Sequence, residues 1–299
     1  MEHVRTINRE FKTGEKAVLH LESRSGTVIV EGRETDRVVI DAVVRVWTDL
    51  SVEADDAAAL VEQAMEQDAH RVIVRMPALP KREGWAVLFG QGSRVDYHVR
   101  VPLHSAVRVL SKSGSVQITH VEGVVHTEAM SGKVGVDDIT GDVTAISKSG
   151  SLLIERVRGE VTADARSGKV AVNHVQGGVT IDARSGSVEV NDVEGDLKVG
   201  SRSGSVNIDN VRGRMSVKSR AGSTRYRGKI VADAEFEALA GSIQLSVDTE
   251  FPFFVDAESG GGSVRSDLPP RRNGAGPEGG GPKVRLRTRA GSIRLSKLD

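Results

Sequence analysis

Apolar and polar positions alternate along most of this chain in short runs, and the runs recur. From Ser113 to Gly222 the recurrence is strict. Glycines fall every eighteen residues, at Gly114, Gly132, Gly150, Gly168, Gly186, Gly204 and Gly222, and a second series runs nine residues behind, from Gly123 to Gly213. Counting from the first glycine of a unit, aliphatic residues hold positions two, four, seven and eleven, as Val206, Ile208, Val211 and Met215 do behind Gly204. Alternation within each run predicts two half-buried strands per unit, with the glycines turning the chain between them. A fixed period of this kind is the mark of a solenoid, in which each strand pairs with its copies in the units above and below. The pattern therefore predicts an all-β fold, a parallel β-solenoid of 18-residue coils. The aliphatic spacing is not the six-residue interval of a left-handed hexapeptide helix, so a flattened coil is expected, and crossover preference makes it right-handed.

The flanks depart from the period. Residues 1–110 read as an N-terminal β segment that caps the array: Ser23 to Gly32 is an early half-copy of the repeat, and Val38 to Trp47 is a long β-branched run. Behind Ser51 as N-cap, Ala54, Ala57, Ala58, Leu60, Val61, Ala64 and Met65 have helical spacing, which predicts one inserted helix over 51–68. Arg71 to Met76 returns to strand, Pro77 to Arg94 is a loop, and Val95 to Val109 forms two strands broken at Pro102. Residues 111–222 are the regular array. Residues 223–299 hold degenerate copies and a C-terminal cap, with Phe251-Pro252-Phe253-Phe254 as a terminal plug. The Gly/Pro/Arg composition of 269–283 predicts a flexible loop, because it offers little apolar surface to bury. All three parts are expected to form one continuous domain.

Composition narrows the function classes. The chain carries 41 basic and 41 acidic side chains, so no global field draws it to nucleic acid or to an anionic membrane. It has no cysteine, which excludes disulfides, thiolate metal sites and cysteine catalysis. Aromatic residues are only 3% of the chain, which suits a thin core of small branched side chains. Met1-Glu2-His3-Val4-Arg5 leads into no apolar run and no stretch is long enough to span a bilayer, so a soluble, cytoplasmic protein is expected.

Three constellations are candidates for chemistry. The first is a basic column at position sixteen: Lys148, Arg166, Arg184, Arg202 and Arg220. Stacked at the ~4.8 Å spacing of paired strands, these cations form a strip suited to a protein or an acidic polymer. The competing reading alternates them with Asp164 and Asp182, two residues earlier, in ion pairs that make an ordinary solvated face. No aromatic residue interleaves with the strip, so single-stranded nucleic acid has nothing to stack on. The second is the apolar run Gly84 to Gly90, whose Trp85 and Phe89 form either a docking tongue or a flap over the fold. The third is a polar column of Asp137, Asp138, Glu155, Asn173, Asn191, Asp192, Asp209 and Asn210. Its carboxylates are suited to calcium or to sugar cleavage, whereas its asparagines suit a stabilising ladder. His120 and His174 lie three coils apart, roughly 14 Å, too far to share a metal. The repeated serines have no histidine base beside them and serve as turn formers. This leaves no catalytic residue, no metal site and no cofactor.

The units of Ser-x-Ser-Gly-Ser-Val type at 111–116, 147–152, 183–188 and 201–206, with the ending Asp256-Ala257-Glu258-Ser259-Gly260 and Arg289-Ala290-Gly291-Ser292-Ile293, make the chain similar to a bacterial putative-adhesin family of unknown function built from β-strand repeats. The likeness runs from about Leu19 to Leu295. It implies the β-repeat architecture, its name implies a surface role, and it brings no catalytic residues. The sequence is therefore read as a non-enzymatic interaction or scaffold protein that binds a protein or polymer along its ladder-lined faces. The alternatives are a self-assembling filament and a β-helix that binds or cleaves polysaccharide. A monomer or small homo-oligomer is expected, because capped ends oppose filament growth.

Overall fold

A computed structural model of the chain describes residues 2–47, 51–77, 93–248, 253–268 and 281–298. The chain forms two compact units, Met1–Gly150 and Ser151–Asp299. The tryptophan-bearing loop with Trp85 and Phe89, the pair Phe251-Pro252 and residues 269–280 lie outside the described residues.

In the Ser151–Asp299 unit the eighteen-residue period becomes a coil. Val170–Gln176 pairs in parallel with Val188–Glu194, and that strand with Val206–Val211; Val179–Ser185 pairs with Leu197–Ser203, and that strand with Met215–Ala221. The partners are one period apart, Val170 with Val188 and Val179 with Leu197. The aliphatic positions all point inward: Val188, Val190, Val193, Leu197 and Val199 of one coil are buried, and each meets its equivalent in the next. Five such side chains per coil, each worth about 1.5–3 kcal/mol on burial, are what make this narrow interior a core.

Past Gly222 the offset grows to nineteen, so Met215 faces Ala234 and Thr224 faces Ile243. The next coil in space is not the next in sequence. Ala234–Ala240 and Ile243–Val247 pair with the final strands, Lys283–Ala290 and Ile293–Lys297. The earlier copy, Phe254–Ser259 with Val264–Ser266, pairs on the far side of those final strands. Core filling explains the order. At inward positions the final coil has Leu286, Thr288, Ile293 and Leu295 where the degenerate copy has Ala257, Ser259, Val264 and Ser266. The well-filled coil gains most from being covered on both sides. The poorer coil sits at the end, with Val255 and Val264 exposed.

This unit also holds the two largest fully buried side chains among the described residues, Tyr226 and Phe236, with ring centroids 6.0 Å apart. The Tyr226 hydroxyl donates to the Lys229 carbonyl at 2.5 Å. Burial pushes the hydroxyls of Tyr226 and, in the other unit, Tyr97 well above the ordinary phenol range. A folded-state pKa above the unfolded value of about 10 favours the protonated form, so the stability it confers is complete below that pH and is lost as pH rises past it. The melting temperature is expected to hold up to about pH 9 and then to decline. A Tyr97→Phe/Tyr226→Phe chain should decline less steeply, and an identical decline would show that the tyrosines are not the cause.

The Met1–Gly150 unit repeats the insertion. Val18–Ser23 and Val28–Arg33 precede the other parallel strands in sequence, yet they lie between Arg71–Val74 with Arg94–Pro102 on one side and Ala106–Ser111 with Val116–Val121 on the other. Beyond Arg94–Pro102 the pairing turns antiparallel: Arg37–Trp47 lies against it, and Glu2–Lys12 against Arg37–Trp47. The helix packs on these two strands through Ala54, Ala57 and Val61. It spans Ser51–Gln63, shorter than the 51–68 read from spacing. Met65–Asp68 is instead a strand, antiparallel to Arg71–Val74 and turned by Ala69 at φ 51°. Pairing with an available strand edge outweighs the good helical propensity of Met65, Glu66 and Gln67, since intrinsic propensities differ by less than about 1 kcal/mol per residue and tertiary context overrides them. No helix among the described residues is long and apolar enough to cross a membrane.

Candidate functional site

In the Ser151–Asp299 unit the second strand of each coil faces inward at positions eleven and thirteen and outward at fourteen and sixteen, as strand alternation requires. The pairs that flank position sixteen, such as Ser201 with Ser219 and Ala238 with Thr288, set the outer row: Arg166, Arg184, Arg202, Arg220, Leu239 and Arg289. All six are exposed. Lys148 belongs to the other unit and is also exposed.

Two residues back, position fourteen forms a second row: Asp182, Gly200, Lys218, Glu237, Arg287 and Glu258, in register from coil to coil. Here the expectation of arginines neutralised by Asp164 and Asp182 fails. Among the described residues neither aspartate forms an ion pair, and Arg166, Arg184, Arg202, Arg220 and Arg289 form none either. The reason is distance. Same-face neighbours along a strand are about 6.6 Å apart, whereas neighbours across coils are ~4.8 Å apart, so charges pair across coils. Lys218 Nζ meets Glu237 Oε2 at 3.0 Å and Arg287 Nε meets Glu258 Oε2 at 3.9 Å. Asp182 faces Gly200, which has no side chain to answer it. Among the described residues the arginine row is thereby left without a counter-charge. Stacked cations ~4.8 Å apart repel by roughly 1 kcal/mol per neighbour even in water.

The two rows border a groove of about 880 Å³ lined by Arg202, Lys218, Arg220, Leu239, Arg287 and Arg289. Its walls carry five cations against three carboxylates, Asp182, Glu237 and Glu258. A second groove of about 520 Å³, at the other end of the same strands, has four of each. There Arg285 reaches both Glu235, at 3.5 Å, and Asp256, at 3.9 Å. Positive charge is thus segregated to one end of one face.

Of the residues singled out from sequence, Arg202 and Arg220 meet in the groove, Arg184 and Arg166 continue its row, and Trp85 and Phe89 lie outside the described residues. Sequence order hid Lys218, Leu239, Arg287 and Arg289. Arg289 was legible in principle: Arg289-Ala290-Gly291 has the phase of Arg220-Ala221-Gly222.

The polar column has a backbone cause. Position six takes a left-handed conformation in successive coils, with φ 54° at His174, Asp192 and Asn210, and Asn, Asp and His enter that region more readily than other side chains. Neighbouring copies bond to one another: Asn173 Nδ2 donates to Glu155 Oε1 at 3.0 Å, Asn191 Nδ2 to Asn173 Oδ1 at 2.7 Å, and Asn210 Nδ2 to Asp192 Oδ1 at 3.2 Å. His174 lies 3.3 Å from Asp192. This is an asparagine-rich ladder that ties coil to coil. Among the described residues no group of three or more His, Cys, Asp or Glu has the arrangement of a metal site.

Residues 141–296 match the family described as Toastrack DUF4097, a span of 156 of the 299 residues, and the chain belongs to that family. No curated protein matches. Among solved structures, a putative cell adhesion protein from Clostridium sporogenes is 10% identical, with 99% of this chain and 100% of that chain covered and a TM-score of 0.24. A putative adhesin from Bacteroides fragilis is 9% identical, with 98% and 97% covered and a TM-score of 0.35.

Proposed function

We propose that this member of the Toastrack DUF4097 family is a non-catalytic binding module that holds an acidic partner along the arginine row of its Ser151–Asp299 unit. One observation carries the reading. Among the described residues Arg202, Arg220 and Arg289 have no ion-pair partner, in a groove whose own carboxylates are mostly engaged by other cations. Repelling cations held together without compensation cost stability, and an anion laid across them repays that cost. The alternatives have less support. The asparagine ladder occupies two of the carboxylates that sugar cleavage would use, Glu155 and Asp192. Antiparallel strands and a helix cover the strand edge where an end-to-end filament would start.

The test is charge reversal. Arg202→Glu/Arg220→Glu is expected to lower retention on immobilised polyanions by roughly tenfold or more, because each reversal replaces an attraction with a repulsion. The thermal melt should stay the same or rise, since the row's self-repulsion is relieved. Wild-type retention should weaken with added salt, as exposed charges are screened over about 8 Å at physiological ionic strength. Undiminished retention by the reversed chain would remove the row as the binding surface.

A further inference from the structure

We infer that the partner of the arginine groove is a linear polysaccharide with a carboxylate on each sugar, lying along the direction in which the coils stack. This rests on the preceding reading of the row as a binding surface and names the ligand's chemical class.

Shape excludes a flat partner first. The arginines border a recess of about 880 Å³, within the usual size range of ligand sites, and a planar bilayer cannot enter it. A single chain can. Spacing narrows the choice further. The row presents one guanidinium per coil, a repeat of ~4.8 Å, while an extended acidic peptide presents same-side carboxylates about every 6.6 Å and drifts out of step within two coils. A 1,4-linked uronate chain has a repeat close to one coil step, and rotation about its glycosidic bonds lets successive carboxylates turn toward Arg202 and Arg220. The planar guanidinium fork suits each carboxylate, which it grips through two parallel N–H···O bonds.

The second row separates a sugar acid from an inorganic phosphate chain. Glu237 and Glu258 lie beside the arginines, each paired with a single cation at 3.0 Å and 3.9 Å. To a polyphosphate, charged on every unit and without hydroxyls, these carboxylates are purely repulsive. To a sugar they are acceptors for ring hydroxyls, while Lys218 and Arg287 supply donors. The exception in the row fits as well. Leu239, 47% exposed, stands between Arg220 and Arg289 and offers the C–H face of a sugar ring an apolar contact. Among the described residues the groove has no aromatic lining, so recognition depends on the carboxylates.

The experiment uses the full chain and polygalacturonate oligomers, with methyl-esterified polygalacturonate and inorganic polyphosphate as comparators, in calorimetry at physiological salt. Polygalacturonate is expected to bind, the ester roughly tenfold or more weakly because it lacks the charge, and polyphosphate weakly. Arg202→Gln/Arg220→Gln should lose the uronate with its melt unchanged or raised, and Leu239→Arg, which completes the row, should tighten it. Tight binding of polyphosphate with no binding of polygalacturonate overturns the ligand class and leaves the arginine surface standing. Equal binding of the ester also overturns it, since the carboxylates then contribute nothing. If none of these or other polyanions binds, the proposed function fails together with this inference.

Discussion

Gly204→Ala is expected to destabilise the Ser151–Asp299 unit by about 3 kcal/mol or more. Two penalties act together. Gly204 has φ +125°, a conformation that side-chain-bearing residues rarely adopt. A methyl there would also be driven into the backbone carbonyl of Gly186 in the preceding coil. Backing away is no remedy, because a methyl on Gly222 would meet the Gly204 carbonyl in the same way, so the glycine edges of three coils are in mutual close approach. Urea unfolding followed by far-ultraviolet circular dichroism measures the cost. A loss below about 1 kcal/mol, the size of an ordinary substitution, would mean that the coils separate at this edge without penalty. Gly200→Ala is the control. Its Cβ would meet nothing closer than 3.8 Å, so it should be neutral or slightly stabilising, since glycine weakens a strand interior.

Phe236→Ala is expected to cost about 3–5 kcal/mol. The ring is fully buried, lies against Tyr226, and sits in register between Val217 and Leu286 of the coils on either side. In a thick globular core, neighbours could move into the space. Here Val217 and Leu286 are pinned by backbone ladders on both strand edges, so most of the cavity persists, and cavity volume governs the upper part of that range. Phe236→Leu, which keeps most of the volume, should cost about 1–1.5 kcal/mol. If the two substitutions cost the same, the core would be collapsing around the alanine and the ladders would be less rigid than the register implies.

The coils themselves were legible because period and burial coincide. Every aliphatic position counted from a Ser-Gly glycine is a buried position, and from Val170 to Gly222 the paired strands are one period apart. Gly241 follows Gly222 by nineteen residues instead of eighteen, and this one-residue delay appears as the nineteen-residue offset. The helix was found by its alanine spacing, and its last residues were misread because Ala64 and Met65 fit a helical stripe and a strand edge alike. The basic row was identified from its phase. Its charge state was not, because whether Asp182 or the solvent answers Arg184 depends on a distance between side chains that spacing along one strand does not contain.

Local repetition was therefore enough to establish an all-β parallel coil, its period, its inward face and the phase of its arginines, since each follows from which side of a strand a residue points to. Three things were decided only in three dimensions. The order of the end coils follows from how well each fills its layer, so the final strands take the inner place and residues 254–266 the outer one. The antiparallel cap of Glu2–Lys12 and Arg37–Trp47 depends on which edge remained open after the coils had stacked. The groove depends on the first of these, because Arg289 joins Arg202 and Arg220 only through that reordering. Alternation is a property of neighbours along the chain, whereas stacking order is a competition between distant segments for the same edge, and the segment that buries more takes it.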